Sequence, residues 1–123
     1  MSMPSANVLL ISAQPADKAR VADALQAIRG QPYRLEVTST LAEGLVRLKH
    51  GRVDAILLDL HVGQGDGREL LASLGDTRPP VALFTGSEAI IPELRELADA
   101  VLVKPLGIEK LSETVARLVD PAR

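Results

Sequence analysis

The chain has no cysteine and no tryptophan, and its aromatics are a single tyrosine and a single phenylalanine, Tyr33 and Phe84. Without cysteine there is no disulfide framework, no thiolate nucleophile and no cysteine-built zinc or iron–sulfur site. That fits a reducing, cytoplasmic setting. Two aromatics cannot build a surface on which nucleobases stack. Charge is nearly balanced, 14 Lys+Arg against 16 Asp+Glu, net −2. No one-sign field draws the molecule to nucleic acid or to an anionic membrane. The apolar runs are short, well below the roughly 20 residues of a membrane-spanning helix. The stretch from Met1 to Asn7 lacks a basic segment followed by an apolar one, so no signal peptide is expected. What remains is 123 residues, 46% hydrophobic and 24% charged. This is the composition of one globular domain, commonly about 100–150 residues. Residues 1–123 are expected to form that domain. Its core would run from about residue 8 to 119, with loose ends at Met1–Ala6 and Asp120–Arg123.

Apolar periodicity alternates between two types. Val8-Leu9-Leu10-Ile11 is short, continuous and branched, as a strand buried on both faces should be. Val21, Ala24, Leu25 and Ile28 then recur at helical spacing after Pro15, and Gly30 and Pro32 end that helix. A second strand is expected over 34–38. Thr40-Leu41-Ala42-Glu43 has the form of a capping box. It opens a helix marked by Leu41, Leu45 and Leu48. Ala55-Ile56-Leu57-Leu58 is a third strand, with Asp59 at its exit. A glycine-rich loop, Gly63 to Gly67, leads to a short helix started by Asp66. Val81 to Phe84 is a fourth strand, exiting at Thr85-Gly86. A short helical segment follows over 90–97. Ala100 to Val103 is a fifth strand, exiting at Lys104-Pro105. Ile108, Leu111, Val115, Leu118 and Val119 stripe a last helix. Five buried strands, each followed by a helix, predict an α/β domain with a parallel sheet covered on both faces.

In such sheets ligands bind beyond the carboxyl ends of the strands. The exits here carry Ser12-Ala13-Gln14, Asp59, Thr85 and Lys104. A carboxylate nucleophile at Asp59, with Thr85 and Lys104 as neutral and charged donors to phosphoryl oxygens, suits a phosphoryl group on Asp59.

At this point the chain resembles the receiver domains of two-component response regulators. The resemblance rests on Val8-Leu9-Leu10-Ile11 with Pro15-Ala16-Asp17, Asp54 to Leu60, Asp66-Gly67, Pro80 to Gly86, and Ala98-Asp99 through Leu102-Val103-Lys104-Pro105. It implies a flavodoxin-like, doubly wound (βα)5 fold with strand order 2-1-3-4-5. It also implies phosphoryl transfer from a sensor histidine kinase to Asp59, with Thr85 as the switch hydroxyl and Lys104 as the phosphate-contacting lysine. Mg²⁺ is the implied cofactor, with Asp59 and the backbone carbonyl of His61 as its remaining candidate ligands. Such a domain is no enzyme beyond transfer to its own Asp59. A homodimer through the face of the last helix is compatible with the resemblance.

Three departures from the family pattern stand out. The acidic pair that usually follows the first strand is replaced by Ser12 and Ala13, which removes two hard anionic ligands. Val101 stands where an aromatic switch residue is usual. The stretch from Thr85 to Lys104 is about three residues short of the family pattern, so the fourth helix should be short or irregular. Asp17 is read as belonging to the first helical turn, where an anion suits the macrodipole. Three functions compete. The first is a divergent pseudo-receiver working through protein–protein contacts. The second is a receiver still phosphorylated on Asp59. The third is a small-ligand binder on a flavodoxin-like fold. The glycines from 63 to 67 have neither the position nor the spacing of a dinucleotide cradle and read as a permissive loop. His50 and His61 read as surface residues. Arg47, Lys49 and Arg52 read as complements of a helix end. No output domain follows in these residues, as expected for a stand-alone regulator or one part of a larger protein.

Overall fold

The computed structural model describes residues 5–30 and 32–120. The five expected strands form one parallel sheet: β1 (Ala6–Ile11), β2 (Tyr33–Thr38), β3 (Ala55–Asp59), β4 (Val81–Thr85) and β5 (Ala100–Val103). Their order is β2-β1-β3-β4-β5, as the resemblance implied. Five helices connect and cover them: α1 (Pro15–Ala27), α2 (Leu41–Leu48), α3 (Gly67–Leu74), α4 (Ile91–Leu94) and α5 (Ile108–Val119).

Strand alternation divides the core in two. Val8 and Leu10 of β1 face one side, with Leu57, Phe84, Val21 and Leu111. Leu9 and Ile11 face the other, with Ile56, Leu58, Leu83 and Leu70. The α1–α5 layer closes the first side and α2, α3 and α4 close the second. Both faces of the sheet are apolar, which is why β1, β3, β4 and β5 read as continuous runs, while the edge strand β2, YRLEVT, alternates. Two side chains fasten the α1–α5 layer. Ser112 Oγ donates to the Ala24 carbonyl at 3.0 Å, and Arg20 Nη1 donates to the Leu106 carbonyl at 2.8 Å.

The helix starts follow local chemistry. Thr40 caps α2 by accepting the Glu43 N–H at 3.1 Å. The Thr40 hydroxyl in turn donates to Glu43 Oε1 at 3.0 Å, so the carboxylate meets the hydroxyl rather than a backbone donor. Asp66 caps α3 by accepting the Arg68 N–H at 2.9 Å. The glycine-rich loop is a tight hairpin in which His61–Val62 pairs antiparallel with Gly65–Asp66. Gly63 sits at its tip with φ +60, where a side chain would be strained.

Two boundaries differ from expectation. Ala6 is buried, pairs with Tyr33 and belongs to β1, so the ordered core begins before residue 8. The Asp120 N–H donates to the Ala116 carbonyl at 3.0 Å and closes α5. The outer parts of both expected loose ends, residues 1–4 and 121–123, lie outside the described residues. The fourth helix is shorter than the expected 90–97: a 3₁₀ turn, Glu88–Ile90, leads into one α-turn anchored by the fully buried Leu94. No helix among the described residues is long and apolar enough to cross a membrane.

Candidate functional site

Asp59 ends β3, Thr85 ends β4, and Lys104 directly follows β5. The parallel register sets Asp59 beside Phe84 and Thr85 beside Val103. All three expected residues therefore lie at one edge of the sheet. Asp59 is 4% exposed and Thr85 2%. Lys104 reaches across, and its Nζ lies 3.1 Å from Asp59 Oδ2. That oxygen accepts no hydrogen bond, so charge rather than an aligned bond holds the pair. The other oxygen, Oδ1, accepts the His61 N–H at 3.3 Å. His61 therefore meets Asp59 through its backbone nitrogen, while its side chain is exposed.

The Thr85 hydroxyl is turned to its own loop. It accepts the Ser87 N–H at 3.1 Å and lies 3.4 Å from the Ser87 carbonyl. In this arrangement it is a satisfied loop hydroxyl. Its backbone supports the lysine: the Lys104 N–H donates to the Thr85 carbonyl at 2.8 Å. The Lys104–Pro105 peptide is cis. Val101 packs against the core on the side of α2, α3 and α4.

The residue that sequence reading missed is Asp17. It was expected to serve the first turn of α1. It does lie there, but its side chain is only 5% exposed and turned into the site. Its Oδ2 accepts from Lys104 Nζ at 2.9 Å and from Ser12 Oγ at 2.7 Å. Ser12 Oγ also accepts the Gln14 N–H at 3.1 Å, which fixes the hydroxyl's orientation. Gln14 Oε1 stands 3.4 Å from the same ammonium. A signal was available: position 17 falls on the inner stripe of α1 with Val21, Ala24 and Leu25, all buried. A carboxylate on that stripe, one turn after β1, had to face the sheet edge.

Burial alone would pull the Lys104 ammonium down. The hydrogen bond to Asp17 and the charge of Asp59 outweigh it and hold the group above the ordinary lysine value. Two carboxylates and one ammonium leave one negative charge in excess.

Mg²⁺ asks for hard oxygens in an octahedral shell. Here Ala13 has no side-chain oxygen, the Ser12 hydroxyl is committed to Asp17, and the ammonium already stands between both carboxylates. Among the described residues no group of three or more His, Cys, Asp or Glu is arranged to hold a metal. This donor set does not fit an acidic divalent-cation site. Of the basic residues near α2, Arg47 and Arg52 are committed within the fold, Arg52 to Asp54 at 2.7 Å. Arg47 forms two bonds to Glu36, at 2.6 and 2.7 Å, and a third to the His50 carbonyl at 3.0 Å.

Residues 5–116 match the sequence model of the response regulator receiver domain. The chain belongs to that family. The receiver is 32% identical over 97 residues to an uncharacterized response regulatory protein of Vibrio cholerae, covering 77% of this chain and 41% of that protein. It is 28% identical over 105 residues to the transcriptional regulatory protein ZraR of Klebsiella oxytoca, covering 80% and 24% respectively. The receiver thus spans less than half the length of these curated relatives. The chemotaxis response regulator CheY4 of Vibrio cholerae shares the fold, with TM-score 0.80, 23% identity and coverage of 94% and 99%. So does the receiver domain of an HD domain-containing protein from Pseudomonas fluorescens, with TM-score 0.81, 22% identity and coverage of 98% and 91%. The receiver is therefore a two-component signalling domain with a flavodoxin-like fold.

Proposed function

We propose that residues 1–123 form one cytoplasmic receiver unit that acts as a divergent pseudo-receiver, through contacts with a sensor histidine kinase or another signalling protein. The observation that carries this reading is the bridging of Lys104 between Asp17 and Asp59, with Ser12 and Ala13 where the family has its acidic pair. An aspartyl phosphate would carry roughly one and a half to two negative charges in place of the single charge of the carboxylate, a net gain of up to about one. That gain would enter a pocket that already holds Asp17, with Lys104 as the one side-chain cation on Asp59 among the described residues. The lysine cannot fully serve both anions. The candidate roles of Asp59 as phosphoacceptor, of Thr85 and Lys104 as phosphate contacts, and of Asp59 with the His61 carbonyl as Mg²⁺ ligands belong to the alternative, a receiver still phosphorylated by a kinase. One observation favours that alternative: Asp59 Oδ2 accepts no aligned hydrogen bond and is held by the charge of Lys104 alone. A homodimer through the α5 face is compatible with either reading.

Intact-mass spectrometry after incubation with acetyl phosphate, with and without Mg²⁺, decides between the two. The expected result is no adduct on protein shown to be folded, and partner binding unchanged in Asp59→Ala. A Mg²⁺-dependent phosphoryl adduct absent from Asp59→Ala would establish the alternative.

A further inference from the structure

We propose that Asp17 is a member of this site, and that the Lys104 ammonium, fixed between Asp17 and Asp59, is the resident cation that neutralises it. The proposal deepens the divergent reading above by naming what replaces the missing acidic pair and its metal.

Three features carry it. First, Asp17 is not spent on its helix. The N-cap of α1 is Gln14, which makes no side-chain capping bond, and the Asp17 carboxylate turns inward to Ser12 and Lys104 instead. Second, Ser12 is committed to Asp17. Its oxygen accepts from the Gln14 N–H, and its proton points at Asp17 Oδ2, the same oxygen that takes the ammonium. Third, Asp59 Oδ2 is buried without a hydrogen bond and has the Lys104 ammonium at 3.1 Å. Two carboxylates, each 5% exposed, thus face one ammonium that is itself 20% exposed.

Of the two acidic side chains missing at the end of β1, one is made good. The Asp17 carboxylate enters the same edge from the inner stripe of α1. The lysine then serves both carboxylates at once. An external cation must compete with an ammonium that is covalently part of the site. A group arriving at Asp59 must draw the lysine away from Asp17.

The test removes the internal cation. Thermal unfolding is followed by circular dichroism in chelator and in millimolar Mg²⁺ or Mn²⁺ for the native chain, Lys104→Met and Lys104→Met/Asp17→Asn. The native Tm should not respond to either cation. That of Lys104→Met should rise by several degrees, because two buried carboxylates now lack a counter-ion and a ligand of the folded state stabilises by mass action. The double variant should lose most of that rise. If Lys104→Met is unfolded in chelator, Mg²⁺ or Mn²⁺ should restore its helical signal. A flat response in Lys104→Met, its failure to fold at any cation concentration, a full rise in the double variant, or an equal rise in the native chain would each overturn the proposal. A phosphoryl adduct on the native chain would defeat the interaction-module reading and leave this cation response standing. A flat response would defeat the inference and leave an adduct-free native chain unexplained by it.

Discussion

Lys104 has one carboxylate at 2.9 Å and another at 3.1 Å, and the cost of a substitution depends on which member of the trio goes. Lys104→Met strands two buried anions. Breaking a buried ion pair from one side costs about 3–5 kcal/mol. Asp17→Asn leaves Lys104 its Asp59, and the amide oxygen still accepts from Ser12. A loss of about 1–2 kcal/mol is expected there. Urea unfolding of the two variants checks the order, and equal losses would mean that Lys104 is not the shared partner. Asp59, Thr85 and Lys104 were legible in the sequence because each directly follows or ends an apolar run, where side chains meet at the sheet edge. Asp17 was not, because an aspartate in a first helical turn already has an ordinary explanation in the helix dipole. Only the direction of its stripe, shared with Val21 and Leu25, separates the two readings.

Among the elements, α2 illustrates packing overruling propensity. Gly44 lies inside this helix, where alanine would normally gain about 1 kcal/mol. A Cβ there would stand 2.5 Å from Ile11 Cδ1 and 3.0 Å from Ile11 Cγ1. Ile11 is fully buried, so it has little room to yield. Overpacking of this kind costs about 1–3 kcal/mol. Gly44→Ala should therefore lower Tm by several degrees, and an unchanged or higher Tm would show that Ile11 can repack. The start of α2 was readable from Thr40 and Glu43, and that of α3 from Asp66. The extent of α4 was not. Ile90, Ile91, Leu94 and Leu97 follow a helical period, yet only Leu94 is fully buried, and Leu97 is 39% exposed. The chain leaves the helix early and is tied by Arg78, which donates to the Leu97 carbonyl at 3.1 Å and to Asp99 at 2.8 Å. The hairpin at residues 61–66 was equally hidden, because two-residue strands carry no periodicity to read.

For the molecule as a whole, charge linkage bounds stability at both ends of the pH scale. Burial pushes the Asp99 carboxyl up. The Arg78 guanidinium and the Val81 N–H outweigh it and hold the group below the ordinary aspartate value. A depressed acid stabilises the fold above about pH 4 and loses that contribution as pH falls through its lowered value. Lys104 is raised, so its contribution is complete below the ordinary lysine value, about 10.4, and is lost as pH rises through the raised one. Urea midpoints across pH should show a plateau with two falling limbs. Asp99→Asn should flatten the acid limb, and an unaltered limb would rule Asp99 out as its source. The α/β class and four of the strands were legible from runs such as Leu9-Leu10 and Leu57-Leu58, because a sheet covered on both faces needs apolar residues throughout, and the edge strand β2 was legible from the alternation around Leu35 and Val37. The strand order was not contained in those runs and came from family resemblance alone. The trio at the sheet edge has a consequence for cooperativity as well. Asp17 and Lys104 stand 87 residues apart in the chain. A form in which β5 has detached keeps Asp17 on α1 and Asp59 on β3 and loses their ammonium. The penalty falls on the half-assembled sheet and spares the complete one, which widens the gap between native and partly unfolded states and makes the five strands come apart together.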